Sequence, residues 1–402
     1  MNRTEFLKLM EITWTKLSLA CFNGDASLVK TYLEEDPGID INEKMMRVKI
    51  NAPSHALSRR AFHEKMKVFF GGTPFMIACY FGEREVVRIL LKNESLDVNQ
   101  KSCFGSTAFH LACQNGDLET VQDLLNLSNI LINVPDSRGE TPLWIACWRG
   151  HYEIVKLLLA DPRIEIGKEV KKSPLYIACK YEHLLIVKEL LKTKKFNVNF
   201  VTRNKCSPLW IACQKGYFEI VRELIKESTL NINQRGENRR SPFQEACSNL
   251  YLNIIQLLLC DKRTTLDSIG TPMSPCPLIL AIELGQKEIV KELTKDSRLQ
   301  ITKYDEILQA IIRSQNYSYL KFILATGKFV FNENRLLQLF GNQQALYPIF
   351  QLLLRYRLNP FDVKYSLRKE LGLLGFFSFS FIFFFYFFFI YLFDSFDSFD
   401  SK

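Results

Sequence analysis

A six-residue string recurs along this chain at nearly constant intervals, and this recurrence constrains the fold more than any other feature. Pro-Leu-Trp-Ile-Ala-Cys begins at Pro142 and at Pro208, and Pro-Leu-Tyr-Ile-Ala-Cys begins at Pro174. Four looser copies bring the anchor alanines to seven, at spacings of 34, 34, 32, 34, 34 and 35 residues: Ala78, Ala112, Ala146, Ala178, Ala212, Ala246 and Ala281. This period indicates a stack of similar small units rather than one large globular core.

Each copy of the string carries its own helix signals. Thr141 and Ser173 precede a proline, which is typical of an N-cap hydroxyl followed by proline at the first helical position. Gly150 and Gly216 end the first helix and permit a tight turn. The small alanine and cysteine of the string allow a neighbouring helix to approach closely. We therefore expect each unit to begin with a short helix and a turn.

Two further strings recur after the anchors in the same phase, the first after each anchor and the second after four of them. The first places apolar residues at Ile154, Val155, Leu158 and Leu159, which is the stripe of an amphipathic second helix. The second ends in asparagine, a residue suited to the turn that leads into the next unit; these asparagines are Asn99, Asn133, Asn199 and Asn233. A helix pair this short cannot bury its stripe alone, so it must stack on its neighbours.

These strings resemble the ankyrin repeat, whose consensus reads Thr-Pro-Leu-His-x-Ala-(Ala/Cys)-x-x-Gly-His, then Ile-Val-x-x-Leu-Leu, then Val-Asn. The match runs from about Gly72 to Leu293. The resemblance implies an all-α ankyrin-repeat solenoid of stacked helix-turn-helix units with short hairpin turns. Residues 15–42, 305–332 and 335–362 keep parts of the pattern, so we expect about ten units with atypical repeats at the ends.

Two departures from the family pattern lead to structural expectations. The histidine after Pro-Leu is kept only as His110, and the bulkier rings elsewhere are expected to replace its hydrogen bond between repeats by packing. The glycine of the turn is replaced by Glu182 and by Leu250, which predicts irregular turns in those two repeats.

The chain divides by pattern into six segments. We assign an N-terminal degenerate repeat or cap to 1–42, a basic insertion to 43–71, the core repeats to 72–302, degenerate C-terminal capping repeats to 303–363, a transmembrane tail anchor to 371–393 and a short acidic tail to 394–402. Residues 43–70 of the insertion carry seven Lys and Arg residues against two Glu residues, a net charge of +5. The insertion is either a docking loop or a degenerate repeat out of register.

The C-terminal anchor rests on Leu371 to Phe393, 23 residues without a charge, 11 of them phenylalanine. At ~1.5 Å per residue, an apolar helix of this length spans a ~30 Å hydrocarbon core. Lys364, Arg368 and Lys369 precede it, so the repeats would face the cytosol. Two alternatives stay open: an artefactual low-complexity tail, which would be an aggregation hazard, and a buried helix.

No group of residues in the sequence indicates catalysis. Phosphate-binding glycine loops are absent, no CxxC occurs among the 11 cysteines, and two of the five histidines, His151 and His183, occupy the turn position of the repeat. We expect no enzyme activity, catalytic residue, cofactor, metal or small-molecule substrate, and a cytoplasmic, reducing setting. A net charge of +9 over 402 residues, without a recognised module, argues against nucleic acid as the partner.

The resemblance places partner binding on the concave face, formed by the turn tips and the exposed side of the first helices. Basic tips and an aromatic–cation mixture in the middle repeats suggest a protein partner with an acidic surface. The candidate binding residues are Trp148, Arg149, Lys171, Lys172, Lys180, Tyr181, Arg203, Lys205, Lys215, Arg239 and Arg240.

The function expected from these features is a non-enzymatic protein–protein interaction scaffold or adaptor, tethered to a membrane by its C-terminus. Two alternatives remain: a membrane-associated regulator or channel-like protein with a cytosolic ankyrin sensor, and a secreted, host-directed ankyrin effector.

Overall fold

The structure is a computed structural model that describes residues 10–12, 15–36, 38–45, 48–50, 70–166, 172–237, 239–266, 276–299, 304–314, 316 and 318–324. Within these residues the chain forms nine consecutive helix pairs and one short β-ribbon. In the ribbon, β1 (Met10–Ile12) pairs antiparallel with β2 (Val48–Ile50). The all-helical repeat architecture expected from the sequence is confirmed, and the ribbon is an addition that the sequence pattern did not predict.

Each pair consists of a first helix, a turn of about two residues and a second helix, and we number the pairs as repeats one to nine. The helices are α1 (Lys16–Asn23), α2 (Ala26–Glu35), α3 (Pro74–Phe81), α4 (Arg84–Leu91), α5 (Ala108–Asn115), α6 (Leu118–Leu125), α7 (Pro142–Arg149), α8 (Tyr152–Ala160), α9 (Pro174–Lys180), α10 (Leu184–Lys192), α11 (Pro208–Lys215), α12 (Phe218–Leu224), α13 (Pro242–Ser248), α14 (Leu252–Cys260), α15 (Pro277–Glu283), α16 (Lys287–Lys295), α17 (Tyr304–Ser314) and α18 (Ser318–Leu324).

The described helices fall into two compact units. The first unit contains repeats one to seven, α1 to α14, and the second contains repeats eight and nine, α15 to α18. In the first unit, first helices pack on first helices and second helices on second helices, so the array has two layers. In the second unit, α17 packs on α15 and α18 on α16, and Arg313 forms an ion pair with Glu283 at 2.8 Å.

The predicted helix starts are confirmed. The hydroxyl of Thr141 accepts a hydrogen bond from the Trp144 N–H at 3.2 Å, and Ser173 does the same for Tyr176. A proline stands at the first helical position of both helices. Each hydroxyl therefore satisfies one of the N–H groups that a helix N-terminus leaves without an intrahelical partner.

The prediction of irregular turns at Glu182 and Leu250 is wrong. Gly150 has a φ of 82° in the left-handed region, and Glu182 and Leu250 occupy the same place in their repeats with φ values of 64° and 63°. The turn keeps its shape because the packing of two helices on the neighbouring repeats determines it, and the non-glycine residue accepts the backbone strain.

The first helices approach one another through their small residues. Ala146 and Cys147 on α7 are fully buried, and α7 packs against both α5 and α9. Burial raises the pKa of the Cys147 thiol, as it raises that of Cys21 to about 12. All eleven cysteines are free, and the repeated ones serve as small apolar residues of the helix interface.

In repeats four and five, a histidine of the turn links the repeat to the one before it. Nε2 of His151 lies 3.2 Å from the carbonyl oxygen of Gln114, and Nε2 of His183 lies 3.2 Å from that of Trp148. Since a carbonyl can only accept, Nε2 carries the proton in both rings. Burial lowers the pKa of His151 below its ordinary value, which favours this neutral form.

The position of the family histidine is used differently from the expectation. His110 caps the N-terminus of its own helix, since its Nδ1 accepts a hydrogen bond from the N–H of the N-cap residue Thr107 at 3.1 Å. The Trp210 ring does more than pack, because its Nε1–H donates to the Arg240 carbonyl of the next repeat at 3.0 Å. The Trp210 ring therefore packs, as expected, and in addition supplies a hydrogen bond between repeats.

Where an asparagine closes a repeat of the first compact unit, it bridges two repeats. Nδ2 of Asn133 donates to the Arg163 carbonyl at 2.7 Å, and its Oδ1 accepts from the Glu165 N–H at 3.0 Å. Four other asparagines make the same pair of bonds to the next repeat: Asn42, Asn99, Asn199 and Asn233. These five residues form an asparagine ladder along the first unit, a role beyond the local turn that the sequence suggested.

One position of the asparagine ladder lacks the amide. The residue at the ladder position of repeat four is Gly167, which has no side chain to bridge to repeat five. At this junction Lys172 instead forms an ion pair at 2.5 Å with Glu140, whose side chain is buried, and its Nζ lies 4.9 Å from the Trp144 ring centroid. Among the described residues, this ion pair is thus a further link between repeats four and five.

The basic insertion begins and ends at one hairpin tip. The Met45 N–H donates to the Gly72 carbonyl at 3.0 Å and the Gly71 N–H donates to the Met45 carbonyl at 2.9 Å. α1 packs directly on α3, so repeats one and two are neighbours in the stack. Most of the insertion lies outside the described residues, so both predictions for it, a docking loop and a degenerate repeat out of register, stay predictions.

The C-terminal expectations fall outside the described residues. These are the tenth repeat at 335–362, the anchor at 371–393 and the acidic tail at 394–402. Of the helices that the structure describes, none combines the length and the apolar character needed to cross a membrane.

Candidate interaction surface

The two residues that precede the left-handed turn residue form a continuous strip along the C-terminal ends of the first helices. We call it the helix-end strip. In repeats one to seven its members are Phe22 and Asn23, Tyr80 and Phe81, Gln114 and Asn115, Trp148 and Arg149, Lys180 and Tyr181, Gln214 and Lys215, and Ser248 and Asn249.

Contacts between rings show how the strip connects neighbouring repeats. The ring centroids of Phe22 in repeat one and Phe81 in repeat two are 4.9 Å apart. The rings of Trp148 in repeat four and Tyr181 in repeat five are 6.4 Å apart. In both cases the first strip residue of one repeat meets the second strip residue of the next. By the same register, Lys180, the first strip residue of repeat five, is placed next to Lys215, the second strip residue of repeat six.

Repeats four to six gather aromatic and cationic side chains on this strip. The Arg149 guanidinium carbon lies 4.1 Å from the Trp148 ring centroid, and Lys180 Nζ lies 6.0 Å from that of Tyr181. We name Trp148, Arg149, Lys180, Tyr181 and Lys215 the aromatic–cation patch. Tyr181 is 38% exposed, and Arg149 and Lys215 are also exposed, so the patch is open to a partner.

The patch rests on a fixed support. The Trp148 ring stacks on the buried Trp144 ring at 6.1 Å, and the Tyr181 ring stacks on His183 at 6.4 Å. The His183 side chain in turn donates to the Trp148 backbone carbonyl. Aromatic side chains held in this way lose little conformational freedom on binding, which favours affinity.

The predicted tip residues divide into two groups. Arg203, Lys205 and Arg239 are exposed at hairpin tips, and Lys205 and Arg239 have positive φ values of 59° and 57°. No contact brings them onto the aromatic rings of the patch within the part of the chain that the structure describes. Their part in partner binding stays a prediction.

Lys172 and Arg240 have partners within the chain. Lys172 pairs with Glu140, as described above, and Arg240 donates from Nη1 to the Ser248 hydroxyl at 3.0 Å. Lys172 therefore joins two repeats and Arg240 holds to the first helix of its own repeat, which leaves both side chains less available to a ligand. Lys171, the remaining candidate, lies outside the described residues.

Charge pairing differs between the two layers of helices. On the side of the second helices, cations of one repeat meet acids of the next: Arg88 of α4 lies 2.9 Å from Asp123 of α6, and Lys194, just after α10, lies 2.7 Å from Glu227, just after α12. In contrast, five cations of the strip and tips form no ion pair with any described residue: Arg149, Lys180, Arg203, Lys205 and Lys215. The strip and tips of repeats four to six thus carry cations that form no ion pair with a described acid.

The described residues contain no group of three or more His, Cys, Asp and Glu side chains arranged to hold a metal ion. His183 and Cys179, which the sequence places four residues apart, are used in the turn and in the helix interface instead.

Comparison with known proteins agrees with this architecture. A family model described as ankyrin repeats (3 copies) matches residues 13–136, 75–170 and 175–269, which is more than half of the chain. No curated protein sequence matches this chain significantly. Among solved structures, the human ASB11 ankyrin repeat domain is 22% identical with a TM-score of 0.48, covering 60% of this chain and 97% of that chain. The ankyrin repeat domain of Bcl-3, described as a unique member of the IkappaB protein family, is 23% identical with a TM-score of 0.46, covering 62% and 99%. On the extent of the family match, the chain belongs to the ankyrin repeat family.

Proposed function

We propose that this chain is a non-enzymatic scaffold or adaptor that binds another protein through the aromatic–cation patch. The observation that carries the proposal is the uncompensated charge of Arg149, Lys180 and Lys215 beside half-buried aromatic rings. Membership of the ankyrin repeat family supports it, because stacked repeats of this kind present extended surfaces for partners.

The chemistry of the patch favours a partner with an acidic surface. Cations without an internal ion pair attract carboxylates and accelerate the encounter of two proteins. Trp, Tyr and Arg are also the residues that contribute most to binding when they lie together at an interface. Trp148 and Tyr181 supply the apolar area, and the surrounding cations supply orientation.

Catalytic chemistry is not needed for this function. His151 and His183 are engaged in bonds between repeats, and burial holds the pKa of Cys113 and Cys147 far above the ordinary thiol value. A nucleophilic cysteine requires the opposite shift. We therefore assign these residues to stability and propose a binding function alone.

The patch is tested by exchanging its cations for residues that other repeats of this chain carry in the same strip position. In the triple variant Arg149→Asn, Lys180→Gln and Lys215→Asn, we expect about tenfold weaker binding of a partner identified by proximity labelling, through slower association. The free energy of unfolding should change by less than about 0.5 kcal/mol, because exposed charges contribute little.

The matched control removes charge from the second-helix side. Lys156 and Lys195 are exposed, and replacing both by glutamine should leave partner binding unchanged. Equal loss of binding in this control would mean that net charge, and not the patch, attracts the partner. Unchanged binding in the triple variant would refute the patch as the binding surface.

We further propose that the array has about ten repeats, the last at 335–362, and that Leu371–Phe393 tethers it to a membrane with the repeats in the cytosol. The support is the sequence: 23 uncharged residues follow a basic flank that belongs on the cytosolic side.

Alkaline carbonate extraction tests the tether. The full-length chain should stay in the membrane pellet, while a chain ending at residue 365 should be released to the supernatant. Full-length protein in the supernatant without aggregate would refute the membrane tether and leave the binding function untouched.

A further inference from the structure

The spacing of the repeats limits the kind of segment that fits the helix-end strip. Neighbouring packed helices lie about 8–10 Å apart. A polyproline-II segment has three residues per turn and rises about 3.1 Å per residue, so the same face returns about every 9.3 Å. In an extended segment that lies along the strip, every third side chain therefore points to the same face. This face presents one side chain to each repeat.

The order of side chains along the strip defines what that face should carry. Arg149 lies over Trp148 in repeat four, the Trp148–Tyr181 ring pair spans repeats four and five, and Lys180 and Lys215 follow in repeats five and six. Cations thus stand on both sides of an aromatic pair. Carboxylates complement the cations, and an aromatic side chain of the ligand complements the rings.

We propose that the aromatic–cation patch binds an extended partner segment in which acidic residues recur at every third position with aromatic residues between them. This inference rests on the proposed function and adds the sequence pattern of the partner. A protein segment fits better than a nucleic acid strand because the cations are few and repeat with the helices, whereas a strand of nucleic acid requires a continuous basic groove.

The chain itself supplies a probe with this pattern. Residues 393–401 read Phe-Asp-Ser-Phe-Asp-Ser-Phe-Asp-Ser, which places both aspartate and phenylalanine at a period of three. A labelled peptide of this sequence can be titrated by fluorescence anisotropy into the detergent-solubilised full-length chain. The chain should carry Asp394→Asn, Asp397→Asn and Asp400→Asn, so that its own tail does not compete.

Two altered peptides separate charge from spacing. Replacing the three aspartates by asparagine should weaken binding about tenfold, and the composition-matched peptide Phe-Phe-Phe-Asp-Asp-Asp-Ser-Ser-Ser should weaken it about fivefold. Binding of the original peptide should also weaken as salt is raised. Equal binding of the permuted peptide would refute the three-residue period, and equal binding of the asparagine peptide would refute the acidic pattern.

Protein variants locate the peptide on the patch. Trp148→Gln and Tyr181→Asn introduce residues that Gln114, Gln214 and Asn115 already place in the same strip positions, so the repeats should stay folded. Together they should weaken peptide binding about tenfold, while Lys156→Gln with Lys195→Gln should leave it within twofold. Wild-type binding by the double variant would overturn the proposal.

Two comparisons decide between this inference and the proposed function. If the triple cation variant loses the protein partner while the peptide does not bind the unaltered patch, the pattern is wrong and the binding function stands. If neither depends on the patch, both fail. Displacement of the peptide by oligothymidylate at a lower concentration than by unlabelled peptide would overturn the proposal in favour of nucleic acid.

Discussion

Replacing Trp210 by alanine is expected to lower the free energy of unfolding by about 3–5 kcal/mol. The side chain is 2% exposed, and its ring lies so close to Gly236 that a Cβ at that residue would clash with it. The indole N–H also donates to the Arg240 carbonyl of the next repeat. Alanine would remove the apolar contact and the hydrogen bond together.

Urea unfolding with hydrogen exchange measures this effect. Exchange should accelerate first in α11 and α13, because each repeat contacts mainly its neighbours. Trp210→Phe keeps most of the volume but not the indole bond, so it should cost about 1–2 kcal/mol. Uniform acceleration over the whole first unit, or a change below about 1 kcal/mol for alanine, would contradict the assigned role.

Replacing Gly116 by alanine is expected to cost about 2–4 kcal/mol. The residue has a φ of 92°, where an L side chain adds about 1–2 kcal/mol of strain. A Cβ here would lie 2.4 Å from the His151 ring, and moving that ring breaks its bond to the Gln114 carbonyl. Thermal unfolding of the variant, compared with wild type, gives the magnitude.

Leu250 provides the reciprocal control. It occupies the same turn position with a φ of 63° and is exposed, so glycine would relieve strain without removing a buried side chain. Leu250→Gly is expected to raise the free energy of unfolding by about 1 kcal/mol, reduced somewhat by the flexibility of glycine in the unfolded chain. A loss of stability would mean that the leucine side chain contributes more than its backbone costs.

Local features of the fold could be predicted from the sequence because they depend on neighbours in the chain. Thr141 before a proline and Gly150 after the helix determine where α7 begins and ends. The turn at Glu182 could not be predicted in this way. Its conformation depends on the two helices that pack on adjacent repeats, and this packing outweighs the preference of the residue.

The candidate surface was predictable where the repeat register alone places the residues. Trp148 and Tyr181 hold consecutive places in one strip, and the structure brings them together. The pairing of Lys172 with Glu140 was not anticipated, because the two residues are 32 positions apart and their contact depends on side-chain reach across a junction. The repeat period could have indicated this contact, because Glu140 and Lys172 are one repeat length apart and so hold the same tip position in consecutive units.

The gap in the asparagine ladder has a mechanical consequence. Elsewhere in the first unit, paired amide bonds act as rigid ties that hold the pitch between consecutive repeats. The residue at that place in repeat four is Gly167, which carries no amide side chain to form such a tie, and the ion pair between Lys172 and Glu140 crosses the same junction. The aromatic–cation patch straddles this same junction. A ligand that contacts Trp148 and Tyr181 at once would therefore add a tie between repeats four and five, at the junction where the sequence has no ladder asparagine.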